Sequence, residues 1–478
     1  MRNRKIARMH MRNRKIARMY MRNRKIARMH MRNRKIARMH MRNRKIARMH
    51  MRNRKIARMY CVWKYSLEGI NIGRRVYIGS YVLTPRDLTM SHLMIDNAAA
   101  LAEFLRKIAD APVIAYDTEF ISEGRYQSQL CLIQLAADGV LALIDPMAVD
   151  NLEPFWNLLC DGRREIVVHA CRSELEFCFR GIGRMPPKLF DVQLAAGFIG
   201  IDYPAGFRTL LEKILKRELP KAETRTEWNK RPLTSRQIDY ALDDVRHLEA
   251  MSQKLKSRLE SVDRLDWYYE EADELKARLR DDFETPRWRS VPKSSHLKPR
   301  KLAILRELWF WRDRLAKKHN QPANRIFRDD LLVELARRST ADPNRIASVR
   351  GLQRSDLPRI LPDIVAAVNK ALNMPVDELP SPAEWLSYPQ YTVMSQFLYS
   401  ALSSICKHRR IAQQLVGGPG DIRELIAAEL ETLPEGIQPR LRHGWRTAFV
   451  GNLLDDLLNG RTAIRLDRNN PDEPLSFF

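Results

Sequence analysis

Two carboxylates two residues apart, Asp117 and Glu119, follow the apolar run Val113-Ile114-Ala115-Tyr116. On a strand, residues at i and i+2 point to one face of the sheet. The pair therefore presents hard oxygen ligands side by side, the donor chemistry that Mg²⁺ or Mn²⁺ requires. Far downstream, Tyr240 and Asp244 stand four residues apart in Tyr240-Ala241-Leu242-Asp243-Asp244, a spacing that puts both on one side of a helix. That helix is legible: Thr234 with Gln237 makes a capping box, and Ile238, Ala241, Leu242, Val245 and Leu248 form its apolar stripe. Tyr240 and Asp244 fall off the stripe, on the side that core packing does not need. Taken alone, an Asp-x-Glu after a strand is more often an ordinary strand-end loop than a metal site.

The surroundings change that weighting. Tyr116-Asp117-Thr118-Glu119-Phe120, Leu130-Cys131-Leu132-Ile133-Gln134, Val168-His169-Ala170, Phe190-Asp191-Val192-Gln193, Arg231-Pro232-Leu233 and Tyr240-x-x-x-Asp244 follow one another between Val113 and Leu248. This stretch resembles the ribonuclease D family of DEDD 3′→5′ exonucleases, in the subgroup whose last motif carries a tyrosine. The resemblance implies two divalent ions, Mg²⁺ or Mn²⁺, held by Asp117, Glu119, Asp244 and Glu174, with Tyr240 orienting the attacking water. One position departs from the family pattern. An Asp usually stands four residues after the Ala of His169-Ala170, and here that place is taken by Glu174. Glutamate keeps the charge and the oxygens but adds a methylene, so it could bind an ion with a shifted backbone or through water. The alternative is a helix-surface acid, with the fourth ligand coming from elsewhere. Asp191 is the other nearby acid, and its plainer reading is a helix N-cap.

The net charge of +27 looks like that of a nucleic-acid binder, yet most of it has one source. Residues 1–60 are six tandem copies of Met-Arg-Asn-Arg-Lys-Ile-Ala-Arg-Met followed by His or Tyr, each with four basic residues and no acid, which leaves only +3 for residues 61–478. Pooled charge therefore says little about the folded part. A ten-residue period rotates the apolar positions by roughly 80° from copy to copy, so no continuous apolar side forms, and the segment should be disordered or loosely helical. Because His and Tyr codons differ by a single base, the pattern looks like duplicated DNA ahead of a functional start at Met90 or Met94. Six cysteines show no C-x-x-C pair and read as thiols of a reducing compartment. No run approaches the ~18–20 apolar residues of a membrane span, and no secretory signal is present, which makes the cytoplasm the default and a membrane partner unexpected.

The spacing of elements predicts an α/β domain. Val113 to Tyr116 reads as a strand, Leu130–Ala136 and Val140–Ile144 as a hairpin about the two-residue turn Asp138-Gly139, Leu152–Leu159 as a helix and Ile166–Val168 as a further strand. This mixed sheet flanked by helices matches the ribonuclease-H-like exonuclease fold that the resemblance implies. Residues 61–89 form an uncertain leader, 90–280 the exonuclease domain, and the polar, proline-bearing 281–297 a linker. Residues 298–376, with Trp309-Phe310-Trp311, resemble the HRDC domain, and 377–470 a second, divergent HRDC-like domain, both all-α. The acidic tail, 471–478, reads as frayed. Trp309, Trp311 and Trp445 could stack on bases, but on amphipathic helices they are more often core. Lys407-His408-Arg409-Arg410 could meet phosphate but reads more simply as a solvated face.

These features predict a two-ion exoribonuclease that trims RNA 3′ ends to nucleoside 5′-monophosphates. The resemblance adds tRNA precursors and other small structured RNAs as substrates, and no protein partner is expected. A DNA 3′→5′ exonuclease is the first alternative, since the same site cuts either polymer. A non-catalytic RNA-binding protein on a nuclease scaffold is the second. A chain opened at Met90 is expected to fold and to cut RNA with the full chain's turnover, while binding polyanions more weakly and with less salt dependence, because the 24 basic residues of the repeats are among those gone. Salt titrations and turnover on both chains measure this, and loss of the chemical step would assign residues 1–89 to the enzyme.

Overall fold

The computed structural model describes residues 92–478 apart from 219–225, 353–354, 382–390, 434–435, 451 and 471–473, together with two earlier strands. Those strands, Val76–Ile78 and Tyr81–Leu83, pair antiparallel with Ile78 opposite Tyr81, and they precede a division of the chain between Leu88 and Thr89. The repeats of 1–60, the remainder of the leader and the start at Met90 lie outside the described residues. Met94, the other expected start, falls inside the strand His92–Ile95, so a chain opened there would lose half of that strand.

From Thr89 onward, six strands form one mixed sheet. They are β1 (His92–Ile95), β2 (Val113–Ile121), β3 (Gln129–Ala137), β4 (Val140–Ile144), β5 (Glu165–Val168) and β6 (Leu189–Asp191), in the spatial order β1-β4-β3-β2-β5-β6. The strands β2, β3 and β4 make an antiparallel meander, while β1 joins β4, β5 joins β2 and β6 joins β5 in parallel. At the predicted turn Asp138 and Gly139 both have positive φ, 46° and 75°, as a two-residue hairpin turn of matching twist demands. The strand β2 outruns its expected end at Tyr116. Acids are depleted from strands, but β3 sets Gln134, Ile133 and Leu132 opposite Asp117, Thr118 and Glu119, and the ladder continues to Ile121.

Both faces of β2 and β3 are apolar below the acids, as in strands covered on two sides. One face, through Ile114, Tyr116, Ile133 and Leu135, meets Leu101, Phe155 and Leu175 of α1 (Ala98–Lys107), α2 (Glu153–Leu159) and α3 (Arg172–Ile182). The other, through Ala115, Leu132 and Val167, meets α4 (Val192–Gly197), α5 (Ser235–Arg246), α6 (Leu248–Ser261) and α7 (Leu265–Glu284).

The expected linker is partly structure. The helix α7 holds to Glu284, and the 3₁₀ turns Arg287–Ser290 and Ser294–His296 follow, burying Val291 and Leu297 in the next core. That core belongs to α8 (Pro299–His319), α9 (Asp329–Arg338) and α10 (Leu357–Leu372), and Trp311 packs in it edge-on to Phe327. The last block, with α11 (Thr392–His408), α12 (Pro419–Glu429) and α13 (Trp445–Val450), has no separate core. Its Leu402, Leu415, Ile426 and Phe449 join Phe198, Leu255 and Tyr268 in the core beneath the sheet. The boundary expected before 377–470 therefore divides the sequence but not the packing.

Polar contacts lock this block in place. Trp445 stacks on Trp267 and donates from Nε1 to Glu271 Oε2 at 3.0 Å. The Arg446 side chain, 1% exposed, donates to Glu271 Oε2 at 2.5 Å, to Glu274 Oε2 at 2.9 Å and to the Leu415 and Val416 carbonyls. Arg264 donates to the carbonyls of Arg409 and Arg410 at 2.6 and 2.9 Å, so the backbone of the basic cluster docks the block and the cluster is more than a solvated face. The described part of the tail is paired. Leu475–Phe477 pairs antiparallel with Ile464–Leu466, because Phe477 and Ile464 both rest against the shared core. Arg446→Ala should lower stability by about 3–5 kcal/mol, since it leaves the buried Glu271 short of its partner. The urea midpoint reads this, and a shift under about 1 kcal/mol would mean that Arg278 and Arg440 alone satisfy Glu271.

Candidate active site

The acids meet where β2 runs past its neighbour. Parallel pairing of β5 with β2 ends at Ala115↔Val167, so the β2 edge beyond it is open at Asp117 and Thr118. After β5 the chain turns through Ala170, with φ 61°, into α3. Glu174, in the first turn of α3, is thereby carried to that edge. Its Oε1 accepts from Thr118 Oγ1 at 2.8 Å, and its carboxyl is near enough to that of Asp117 for the two to repel. At 3% exposure Glu174 is not a helix-surface acid. Asp191 takes the other role open to it. Its oxygens accept from the amides of Ala170, Cys171 and Gln193 at 3.1, 2.9 and 2.8 Å, capping α4 and bracing the turn that leads to Glu174. Both Asp191 oxygens are thus engaged by backbone amides.

The helix α5 brings the second pair. Its capping box is complete, Ala241, Leu242 and Val245 are buried, and it lies across β2, β3 and β4. Its apolar stripe ends sooner than expected, because the helix breaks at His247 and Leu248 opens α6. Tyr240 stays 37% exposed, with its hydroxyl beside Asp244. Arg231, just ahead of α5, grips Asp145 at the end of β4 with Nη2 at 2.7 Å from Oδ1, and donates to the Cys131 and Trp228 carbonyls at 2.7 and 2.8 Å. The sequence flagged Arg231 and Thr118 only as parts of motifs, and nothing in it pointed to Asp145.

Electrostatics show how closely the acids crowd. Burial, then Asp117 and Asp244, push the Glu119 carboxyl up to about 9. Burial, then Asp117, push Asp244 up to about 8 although Tyr240 and Arg208 pull the other way. Burial likewise raises Asp117 against the Thr118 amide and His169, and burial with Asp117 beside it holds Glu174 well above the ordinary range. Burial and Asp244 keep the Tyr240 hydroxyl protonated, fit to donate a hydrogen bond.

Among the described residues, no three His, Cys, Asp or Glu side chains close around one ion-sized point. The donor set nonetheless fits a hard cation, being made of carboxylate oxygens alone. Gln134 adds to the fit: it stands opposite Asp117 on the same face, fully buried, with neither amide atom partnered.

Carboxyls that stay protonated in the fold and ionise in the unfolded chain make the fold weaker as pH rises. In chelator, stability should fall between roughly pH 4 and pH 9, as the unfolded carboxylates and then folded Asp244 and Glu119 titrate. Asp244→Asn should lessen that fall while abolishing hydrolysis. Thermal midpoints across pH, with and without Mg²⁺, measure it. A flat profile would contradict the crowding.

A family model described as 3′-5′ exonuclease matches residues 93–260, and one described as HRDC domain matches residues 301–368. Ribonuclease D of Granulibacter bethesdensis is 33% identical over 379 residues, covering 78% of this chain and 93% of that protein. Ribonuclease D of Pseudomonas paraeruginosa is 32% identical over 361 residues, covering 75% and 96%. Among solved structures, Escherichia coli RNase D, described as an exoribonuclease involved in structured RNA processing, matches with a TM-score of 0.69 at 30% identity, covering 78% of this chain and 99% of its own. On this identity, coverage and fold, the chain belongs to the ribonuclease D family and is a 3′→5′ exoribonuclease.

Proposed function

We propose that this enzyme trims the 3′ ends of tRNA precursors and other small structured RNAs one nucleotide at a time, releasing nucleoside 5′-monophosphates with the help of two divalent ions. The observation that carries the reading is the gathering of Asp117, Glu119, Glu174 and Asp244 near enough to repel one another in largely desolvated surroundings, with the Tyr240 hydroxyl beside Asp244. Such a cluster is costly unless cations offset it. Asp117 and Glu119 would touch both ions, and Glu174 and Asp244 would complete the shells. When bound, the ions supply activation of the attacking water and stabilisation of the departing 3′ oxygen. Tyr240 donates to the water's approach and need not act as a base. The E. coli relative, an exoribonuclease of structured RNA, supports the substrate class and favours RNA over the DNA alternative.

Degradation of 3′-structured RNA and of matched DNA, in Mg²⁺, Mn²⁺ or chelator, with mononucleotide products resolved, tests the whole reading. Asp117→Asn should lose turnover entirely, and Tyr240→Phe should lose no more than that while keeping metal affinity. Glu174→Gln should lose orders of magnitude in single-turnover rate and need more Mg²⁺. Glu174→Asp should stay active but slower, since a misplacement of ~1 Å in such a site can cost about a hundredfold. Wild-type rates in Glu174→Gln would remove that residue from the cluster's chemistry, and equal cutting of DNA would restore the broader nuclease reading.

A further inference from the structure

A cavity of about 400 Å³ opens where the β2–β3 connection meets α8, lined by the cations Arg125, Arg180 and Lys317 with Tyr126, Gln129 and Asn320 among them. No carboxylate lines it. Its two walls belong to different domains and are fixed to each other. Tyr126 Oη donates to Asp313 Oδ1 at 2.6 Å, and the Tyr126 and Gln127 amides donate to Asn320 Oδ1 at 3.2 and 3.3 Å. Asp313 stands behind the wall and also accepts Lys317 Nζ at 3.1 Å, so that cation is partly offset. Arg180 stacks on Phe177, donates to the Ser128 carbonyl at 3.2 Å and lies 4.0 Å from Glu176. Arg125 makes no ion pair among the described residues. A polar cavity with surplus positive charge matches an oxyanion of a phosphodiester.

Two measures place it relative to the acids. Gln129 lies three residues along β3 from Leu132, the residue opposite Glu119, or roughly 10 Å of strand. Arg180 lies six residues along α3 from Glu174, or about 9 Å of helix rise. Measured along both elements, the cavity thus stands about 10 Å from the level of the acids, a span that one extended strand can cover.

We propose that this cavity holds a backbone phosphate of the RNA on the 5′ side of the nucleotide being removed. The proposal rests on the RNA-trimming reading above. A site that reads phosphate and no base serves every register as the strand advances by one nucleotide. It also explains why the walls come from two domains: the nuclease hairpin and the HRDC domain share one strand of substrate, and occupancy would tighten their contact.

The test is equilibrium binding in chelator, by fluorescence anisotropy across a salt series, with RNAs sharing one 3′ end and running from a dinucleotide to about a dozen nucleotides. Arg125→Gln/Arg180→Gln should weaken the long strand about tenfold and flatten its log Kd against log salt slope by about 1.4, two contacts at ~0.7 each. The dinucleotide, too short to reach, should show neither change. Arg125→Lys/Arg180→Lys should restore the slope, and Lys317→Gln, at an exposed position, should remove about half as much if the double variant folds poorly. An unchanged slope with the long strand, or an equal loss with the dinucleotide, overturns the cavity's role. Failure of the wild-type enzyme to cut any of these RNAs with Mg²⁺ would instead count against the trimming reading, while the binding series still decides the cavity.

Discussion

Burial and mutual repulsion act together on Asp117, Glu119 and Asp244, with Glu174 repelled by Asp117, and the sheet-and-helix frame holds these carboxyls close. Left to itself such a group would spread or stay protonated, as the raised Glu119 and Asp244 show. Three separate devices oppose that spreading. The β3 ladder fixes Asp117 and Glu119 from across the strand. Arg231 ties the approach of α5 to Asp145 at the end of β4. Asp191 braces the turn ahead of α3 with backbone amides. The last two use charge-assisted hydrogen bonds, whose short and directional geometry suits positioning better than apolar contact does.

The parts of the site legible in the sequence are those fixed by local periodicity. Asp117 and Glu119 share a face because the strand period is two, and Tyr240 and Asp244 do so because four residues are close to one helical turn. The capping box at Thr234 set the start of α5 for the same local reason. What the sequence hid depends on distant partners. Nothing near Glu174 says that Thr118 will meet it, and the clamp between Arg231 and Asp145 joins residues far apart in the chain. The extension of β2 through two acids ran against strand propensity and was settled by its neighbour, as tertiary context often settles it. The tail's return as a strand likewise depended on where Ile464 and Phe477 could bury their apolar surface.

The two helical blocks are attached by different physics. The last block is merged: it continues the core beneath the sheet and closes over it with the Glu271–Arg446 network. Because that network is buried and fully partnered, separating the block would expose charge as well as apolar surface. The first block keeps its own core and meets the β2–β3 connection through hydrogen bonds from Tyr126 and Gln127 to Asp313 and Asn320. Polar contacts of this kind cost less to open than a shared core. Adjustment to substrates of different shape is therefore easier at the α8 side than at the α11–α13 side, which is also where the cationic cavity lies.

The glutamate at position 174 is best understood from the open edge of β2. Beyond Ala115 no strand among the described residues pairs with that edge, so a side chain from α3 can approach it within the plane of the sheet. Successive strand residues point to opposite faces, yet the Glu174 carboxyl bonds Thr118, on the α3 face, and stands near enough to Asp117, on the α5 face, to feel its charge. A group that must reach around a strand edge gains from an added methylene, while the Thr118 hydroxyl supplies the fixed point that the longer, more mobile side chain would otherwise lack. The departure from aspartate is thus matched by its surroundings: length provides the reach, and a hydrogen bond from the far face of the strand removes the freedom that length brings.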